Sequence, residues 1–231
     1  MQVTIYQGRN SPPTAADVTI VIDVIRAFTV AHYAFIQGVR RIFLAESVEQ
    51  AVQMKRENPE YLLAGEVDGL PITGFDLDNS PYHIQQKNLL GKTLVQKTTN
   101  GVRATLNCLS SDHVFVTGLT NARQTANFVR ETANEEKEKT VHIIASHPSG
   151  DDDLACAAYI KSIIENTSDS ISLLEVKKRI KHAHVAKKFF DTGNKAFMPE
   201  DIASCIKELN TDFVMKVKKT YEIPMIERVH V

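Results

Sequence analysis

The chain has only three cysteines, Cys108, Cys156 and Cys205, odd in number and far apart. None forms a C-x-x-C pair, which excludes a readable disulfide framework or zinc site. Each sits in an apolar, helix-like context and reads as core, a pattern that fits a reducing cytoplasm. Net charge is also lacking: 27 Lys and Arg face 28 Asp and Glu, for a balance of −1. Whole-protein electrostatics therefore point to neither nucleic acid nor an anionic membrane as partner. No apolar run approaches the length of a membrane span. Met1 to Tyr6 alternates like a strand and lacks the basic-then-apolar form of a signal peptide. Internal repeats and low-complexity segments are absent. So are the G-x-x-x-x-G-K-[ST] loop, the G-x-G-x-x-G fingerprint and the G-x-S-x-G elbow, which removes the common routes to nucleotide binding and serine hydrolysis. Asp23-Val24-Ile25 lacks the second aspartate that haloacid-dehalogenase-type phosphatases use. The expectation is a cytoplasmic protein; a homo-oligomer is compatible with it.

What is present is an ordinary globular composition, 43% apolar and 24% charged over 231 residues. That is enough chain to bury a sizeable core. Strand-like runs occur at Val18 to Ile22, Arg41 to Ala45, Tyr61 to Ala64, Thr93 to Val95, His113 to Val116 and Val141 to Ala145. Helix-like stretches alternate with them: Phe28 to Gln37, Ser47 to Asn58, Ala104 to Leu109, Asn121 to about Glu138, and Leu154 to Glu165. Alternation of this kind predicts a three-layer α/β domain, with a mainly parallel or mixed sheet and helices on both faces. The Gly- and Pro-rich stretch Gly65 to Pro81 predicts a long polar loop. Beyond Asn166 the pattern turns helical, over Ile171 to Phe190 and Pro199 to Leu209, and the tail from Pro224 could form a last strand. The predicted organisation is an α/β core over 1–165 and a helix-rich subdomain over 166–231.

In such folds ligands sit at the carboxyl ends of strands, and each polar cluster here follows a strand end. The most suggestive is Thr98-Thr99-Asn100-Gly101-Val102-Arg103, between the strand at Thr93 and the helix at Ala104. A strand, a Gly-containing turn and a helix start can cradle an anion on backbone N–H groups, and Arg103 adds a planar charged fork. The competing reading is a plain turn in which Thr99 or Asn100 caps the helix. Arg26 and the carboxylates Asp23, Glu66 and Asp76 suggest an anionic substrate with Mg²⁺, which prefers a few carboxylates plus water and phosphate. Asp152 and Asp153 are a second acidic source, and Asp151 sits where an N-cap would. The basic stretch Lys177 to Lys188 reads as a solvated helix face, because aromatic residues are not interleaved with it as a single-strand binder needs. His182 and His184 lie two apart and share no helix face.

Taken together, the chain from about Val18 to Pro224 resembles the 2-phosphosulfolactate phosphatase family. The resemblance is carried by Asp23-Val24-Ile25-Arg26-Ala27, by Gly65-Glu66, by Gly74-Phe75-Asp76-Leu77-Asp78-Asn79-Ser80-Pro81 and by Thr98-Thr99-Asn100-Gly101-Val102-Arg103-Ala104. Asn121-Ala122 and Asp152-Asp153 match more weakly. It implies a distinctive α/β fold and a Mg²⁺-dependent hydrolase of the coenzyme M pathway that converts 2-phospho-3-sulfolactate to 3-sulfolactate and phosphate. Carried onto this chain, it implies catalytic roles for Asp23, Arg26 and Arg103. Thr98, Thr99, Asn100, Gly101, Asn79 and Ser80 would bind the small anionic phosphate ester, with Asp23, Glu66 and Asp76 at the metal. The chain departs from the family pattern at Val67 (an arginine in the family), at Phe28-Thr29-Val30 (a threonine-rich run), at Val102 (threonine) and at Asp78 (glycine). These departures motivate a second expectation, a member that binds an anionic metabolite without turnover or hydrolyses a different small phosphate.

Overall fold

The computed structural model describes residues 1–10, 12–133, 139–167, 171–191, 193–194, 196–219 and 222–231. The first half of the chain runs β1 (Gln2–Gln7), β2 (Val18–Ile22), α1 (Ala27–Ile36), β3 (Arg41–Leu44), α2 (Val48–Glu57), β4 (Leu62–Val67), β5 (Leu70–Pro71), α3 (Pro81–Ile84), β6 (Thr93–Lys97) and α4 (Gly101–Leu106). It continues through β7 (His113–Thr117), a 3-10 turn at Leu119–Asn121, α5 (Ala122–Ala133), β8 (Thr140–Ala145), α6 (Asp151–Glu165) and α7 (Leu173–His182). A 3-10 segment at His184–Phe190, α8 (Pro199–Cys205), β9 (Phe213–Lys218) and β10 (Met225–His230) complete it. The expected continuation of α5 to Glu138 falls on residues 134–138, outside the described residues.

The described strands form one ten-stranded sheet in the order β1-β8-β2-β7-β9-β10-β3-β6-β4-β5. Pairing is parallel within β1-β8-β2-β7 and within β3-β6-β4. The antiparallel hairpin β9–β10 joins these two groups, so they run in opposite directions. From β2 to β4 there are six neighbour steps. At roughly 20–25° each they accumulate about 120–150° of twist, which swings the carboxyl ends of the two groups toward one place.

Alternation along each strand divides the core. Val21, Ile144, Leu94 and Ile226 pack with α1 and α4 on one face. Ile20, Ile22, Val141 and Ile143 pack with α5, α6 and α7 on the other, while Leu63 and Val95 meet α2. All of β2 is buried, as expected for a strand covered on both faces. Helix α1 is buried almost all round, the condition of an apolar helix inside a fold. Ser47 caps α2 by accepting from the Gln50 N–H at 3.1 Å. Among the described residues no helix is long and apolar enough to cross a membrane.

Several local expectations are corrected. The stretch from 166 onward is helical over α7 and α8 but also supplies β9, unread in the sequence, and with β10 it fills the middle of the sheet. Gly65 to Pro81 is not wholly irregular: Asp68 and Gly69, at φ 52° and 85°, turn β4 into β5, as an Asp-Gly pair does in tight hairpins. Asp151 does not cap α6. Gly150 holds that position, and Asp151 instead takes a two-pronged ion pair from Arg179. Asn121 lies in the 3-10 turn, where its amide joins the hydroxyls of Thr117 and Thr125.

Candidate active site

Asp23 follows the last residue of β2, and its carboxylate is the knot of the site. Oδ1 accepts from the Ala27 N–H at 2.9 Å and so starts α1. Oδ2 accepts from the Gly101 N–H, also at 2.9 Å, and so reaches the first residue of α4 in the other half of the sheet. Gly101 is glycine because a Cβ there would lie 2.7 Å from Asp23 Oδ2 and 3.1 Å from Ala27 Cβ. Behind Asp23, Asp153 accepts from the Val24 N–H at 2.8 Å, the His147 N–H at 3.0 Å and the Ser146 hydroxyl at 3.2 Å. Asp152 is equally buried, and its Oδ1 has no partner among the described residues.

Glu66, near the end of β4, is held by the turn at Thr99. Oε1 accepts from the Thr99 N–H at 2.5 Å, and Oε2 from the Thr99 hydroxyl at 3.1 Å and the Gly69 N–H at 2.5 Å. Thr98 Oγ1 accepts from the Val102 N–H at 3.0 Å. The start of α4 therefore does not present a ring of free N–H groups. Those of Thr99, Gly101 and Val102 are spent on Glu66, Asp23 and Thr98; Asn100 holds the N-cap position of α4 without a side-chain capping bond, and the Thr98 hydroxyl supplies one. What the turn organises is a pair of carboxylates.

Arg26 is buried beside them. Nη1 donates to Asp201 Oδ2 at 2.8 Å and Nη2 to the Gly69 carbonyl at 2.8 Å. Its guanidinium carbon lies 4.9 Å from the Phe189 ring centroid and 5.5 Å from that of Phe197, distances at which a cation and a ring attract. Asp201 is fully buried, and it also accepts from the Ser80 hydroxyl at 2.6 Å and the Tyr82 N–H at 3.3 Å. Ser80 in turn caps α3 through the His83 N–H. Asn79 is buried with its Oδ1 unpartnered among the described residues.

These groups surround a cavity of about 230 Å³ lined by Asp23, Ile25, Arg26, Glu66, Asp68, Gly69, Asn79, Thr99, Asn100, His147, Val185, Lys188 and Phe189. Three carboxylates and two cations are in that wall. Burial, reinforced by the charges of Asp153 and Glu66, raises the Asp23 pKa to about 8. Burial and the charge of Asp23 raise Asp152 to about 7, and burial with the Asp152 charge pushes Asp153 well above the carboxylate range. Crowded, desolvated carboxyls of this kind favour their neutral forms unless a cation joins them. His147 is shifted the other way, its pKa lowered by burial and the nearby His184. Its Nδ1 accepts from the Ser149 N–H at 3.2 Å, which leaves the ring proton on Nε2.

Among the described residues no group of three or more His, Cys, Asp or Glu side chains is placed to hold a metal ion. Two carboxylates with open lone pairs, Asp23 and Glu66, do line the cavity. That set suits a hard cation taking its other ligands from water and phosphate.

Of the sequence candidates, Asp23, Arg26, Glu66, Asn79, Thr99 and Asn100 come together in the wall. Thr98, Gly101 and Ser80 stand just behind it and hold the frame. Two candidates are elsewhere. Arg103 is exposed on α4 and is absent from the cavity wall. Asp76 is exposed, paired with Lys55 Nζ at 2.8 Å and accepting from the Leu63 N–H at 2.8 Å, beside a different depression that also includes Asp78 and His83. Sequence reasoning missed Lys188, His147, Phe189 and Asp201. Lys188 was hidden in a basic stretch that reads as a solvated face, and Asp201 in the ordinary acidic first turn of a helix.

Comparison with known proteins gives one consistent description. The chain matches the family described as 2-phosphosulpholactate phosphatase over residues 5–220. It is 52% identical over 229 residues to a probable 2-phosphosulfolactate phosphatase of Bacillus subtilis (strain 168), covering 99% of each chain. A protein of the same name from Clostridium perfringens (strain SM101 / Type A) is 30% identical over 227 residues, covering 91% of this chain and 89% of its own. Another from Caldicellulosiruptor saccharolyticus is 29% identical over 220 residues, covering 86% and 91%.

Proposed function

This chain belongs to the 2-phosphosulpholactate phosphatase family, and from that premise we propose that it hydrolyses 2-phospho-3-sulfolactate to 3-sulfolactate and inorganic phosphate, with Mg²⁺ held by Asp23 and Glu66. The observation that carries the reading is the charge of the cavity wall: Asp23, Glu66 and Asp68 against Arg26 and Lys188. A multiply anionic ester does not enter an acidic cavity unless a cation offsets the carboxylates.

Bound there, Mg²⁺ would supply Lewis-acid charge to the phosphoryl group and order a water. The chain's own residues do the rest. Arg26 is fixed by Asp201, Gly69 and two aromatic rings, and its remaining N–H groups can meet phosphoryl oxygens without reordering, which favours a charge-spread transition state. The Ala27 and Gly101 N–H groups hold Asp23 in one orientation, and Glu66 is fixed by Thr99 and Gly69. Asn79 and Asn100 offer neutral amides to the substrate, and neutral His147 offers a ring N–H. The departures that motivated a binding-only member do not reach this wall. Val67 is exposed on the β4–β5 hairpin, and Asp78 is engaged by His83 at 2.7 Å and by the Ser80 N–H at 3.1 Å.

Phosphate release from racemic phosphosulfolactate, with Mg²⁺ and then with chelator, tests the proposal. Mg²⁺-dependent release is expected, with Asp23→Asn lowering kcat/KM by about 10² or more, the scale of removing a charged group from a reacting centre. Release that survives both the chelator and Asp23→Asn would remove Asp23 and the cation from the reaction.

A further inference from the structure

Of the two cations in the cavity wall, Arg26 is committed to Asp201 and the Gly69 carbonyl. Lys188 is not. Its Nζ lies 4.4 Å from the Phe197 ring centroid and 5.9 Å from that of Phe189. It makes no hydrogen bond or ion pair with any described residue. Ring faces place an ammonium without neutralising it or occupying its N–H groups, so three donors and a full charge remain open to the cavity. Room for them is kept by Gly69, at φ +85°, where an added Cβ would come within 2.6 Å of Nζ. Glu66 and Asp68 attract the Lys188 ammonium and Arg26 repels it, and burial with the Arg26 charge lowers its pKa. An incoming anion relieves both.

We propose that Lys188 receives the sulfonate of the substrate and sets the preference for sulfonated over unsulfonated phosphate esters. The inference rests on the phosphatase reading and adds to it a residue that determines specificity. A lysine suits this task because its compact charge with three rotatable donors meets a tetrahedral –SO₃⁻ group without a bidentate geometry. The phosphoryl group is left to Arg26 and the carboxylate-bound cation. The attachment of Lys188 to the 3-10 segment His184–Phe190 puts the specificity element outside the strand-end loops that hold the reacting groups.

The test compares wild type with Lys188→Met, which keeps the stem packed on the rings, and with Lys188→Arg. Each is assayed with phosphosulfolactate and with phospholactate, which has the carboxylate and lacks the sulfonate. The ratio of the two kcat/KM values is expected to fall about tenfold or more in Lys188→Met, the weight of one charge-assisted hydrogen bond, and to recover in part in Lys188→Arg. An unchanged ratio overturns the proposal, whether both activities fall together or neither does. Thermal shift with the product reads the same contact without turnover. 3-Sulfolactate should raise Tm more than lactate does in wild type, and that difference should vanish in Lys188→Met; its persistence overturns the assignment. A wild-type protein inactive on all esters would reject the phosphatase reading alone, since the product arm still decides the role of Lys188.

Discussion

Arg103 and Arg26 show how little a residue type says until its surroundings are known. Both follow strand ends, and both carry the fork that suits phosphate. Arg26 is 5% exposed and held by Asp201, whereas Arg103 is exposed on a helix whose first residue, Gly101, meets Asp23. On α4 a residue two positions beyond Gly101 points about 200° away from it, so if Gly101 meets Asp23, Arg103 turns outward. Arg103→Ala is therefore expected to keep kcat/KM within about twofold and stability within about 0.5 kcal/mol, as for other exposed surface substitutions. Phosphate-release kinetics and a denaturant melt check both, and a tenfold loss of kcat/KM would place Arg103 on the substrate. Asp23, Arg26 and Glu66 were legible because buried-looking strands hand over to charged residues at just those positions. Asp201, which holds Arg26, and the cavity neighbours His147 and Lys188 were not, because proximity between residues so far apart in the chain leaves no local pattern.

Helix α1 presents the same contrast at the scale of an element. Its apolar run was readable, as was its place between two strands, but the chemistry of the one histidine inside it was not. His32 is fully buried, with Nδ1 2.9 Å from Thr120 Oγ1 and Nε2 3.1 Å from Thr211 Oγ1. Burial pushes its pKa down to about 3. The unfolded chain takes up a proton near pH 6.5, while the folded chain refuses it until about pH 3. Between those values the unfolded state binds more protons, so stability falls with acidification, by about 1.4 kcal/mol per pH unit for this one group. Asp23 and Asp152 act in the opposite sense, because their raised values let the folded state bind protons first. Comparison of wild type with His32→Gln isolates the histidine. Urea melts from pH 6 to pH 4 should show the stability of the variant gaining on that of wild type as pH falls, and parallel curves would mean that His32 is protonated in place. Strand β9 was illegible for a related reason. Phe213-Val214-Met215-Lys216-Val217-Lys218 is buried along most of its length, yet its two lysines and the helical stretches before it mask the alternation. The Asp68-Gly69 hairpin is masked in the sequence by the glycines and prolines that crowd around it.

At the scale of the whole molecule, the site is a seam. Asp23 comes from the β1-β8-β2-β7 group, Glu66 and Gly101 come from the β3-β6-β4 group, and among the described residues of the sheet β9 and β10 connect the two. The hairpin pairs Val116 with Met215 on one side and Ile42 with Ile226 on the other, and the segment ahead of it contributes Lys188, Phe189 and Asp201. A chain ended after Asn210 would expose the inner edges of β7 and β3, each a run of unpaired N–H and C=O groups beside apolar side chains. Such edges are unstable in water and invite aggregation. It would also take Phe213, Val214, Met215, Val217 and Ile226, all nearly inaccessible in the full chain, out of the core. The loss of these five side chains, at about 1.5–3 kcal/mol each, is as large as the margin of about 5–15 kcal/mol by which domains are stable. The 1–210 chain is therefore expected to lose the cooperative thermal transition and the near-ultraviolet circular dichroism of the full protein while keeping much of its helical signal. The alternating βα pattern of 1–165 reads as self-sufficient because each local unit is well formed. It is the opposed direction of the two strand groups, a property of no single segment, that makes the last third of the chain their link. A cooperative transition in the truncated chain at a Tm near that of the full protein would show instead that the groups join through α1 and α4 alone, and that the hairpin is an addition to a fold already closed.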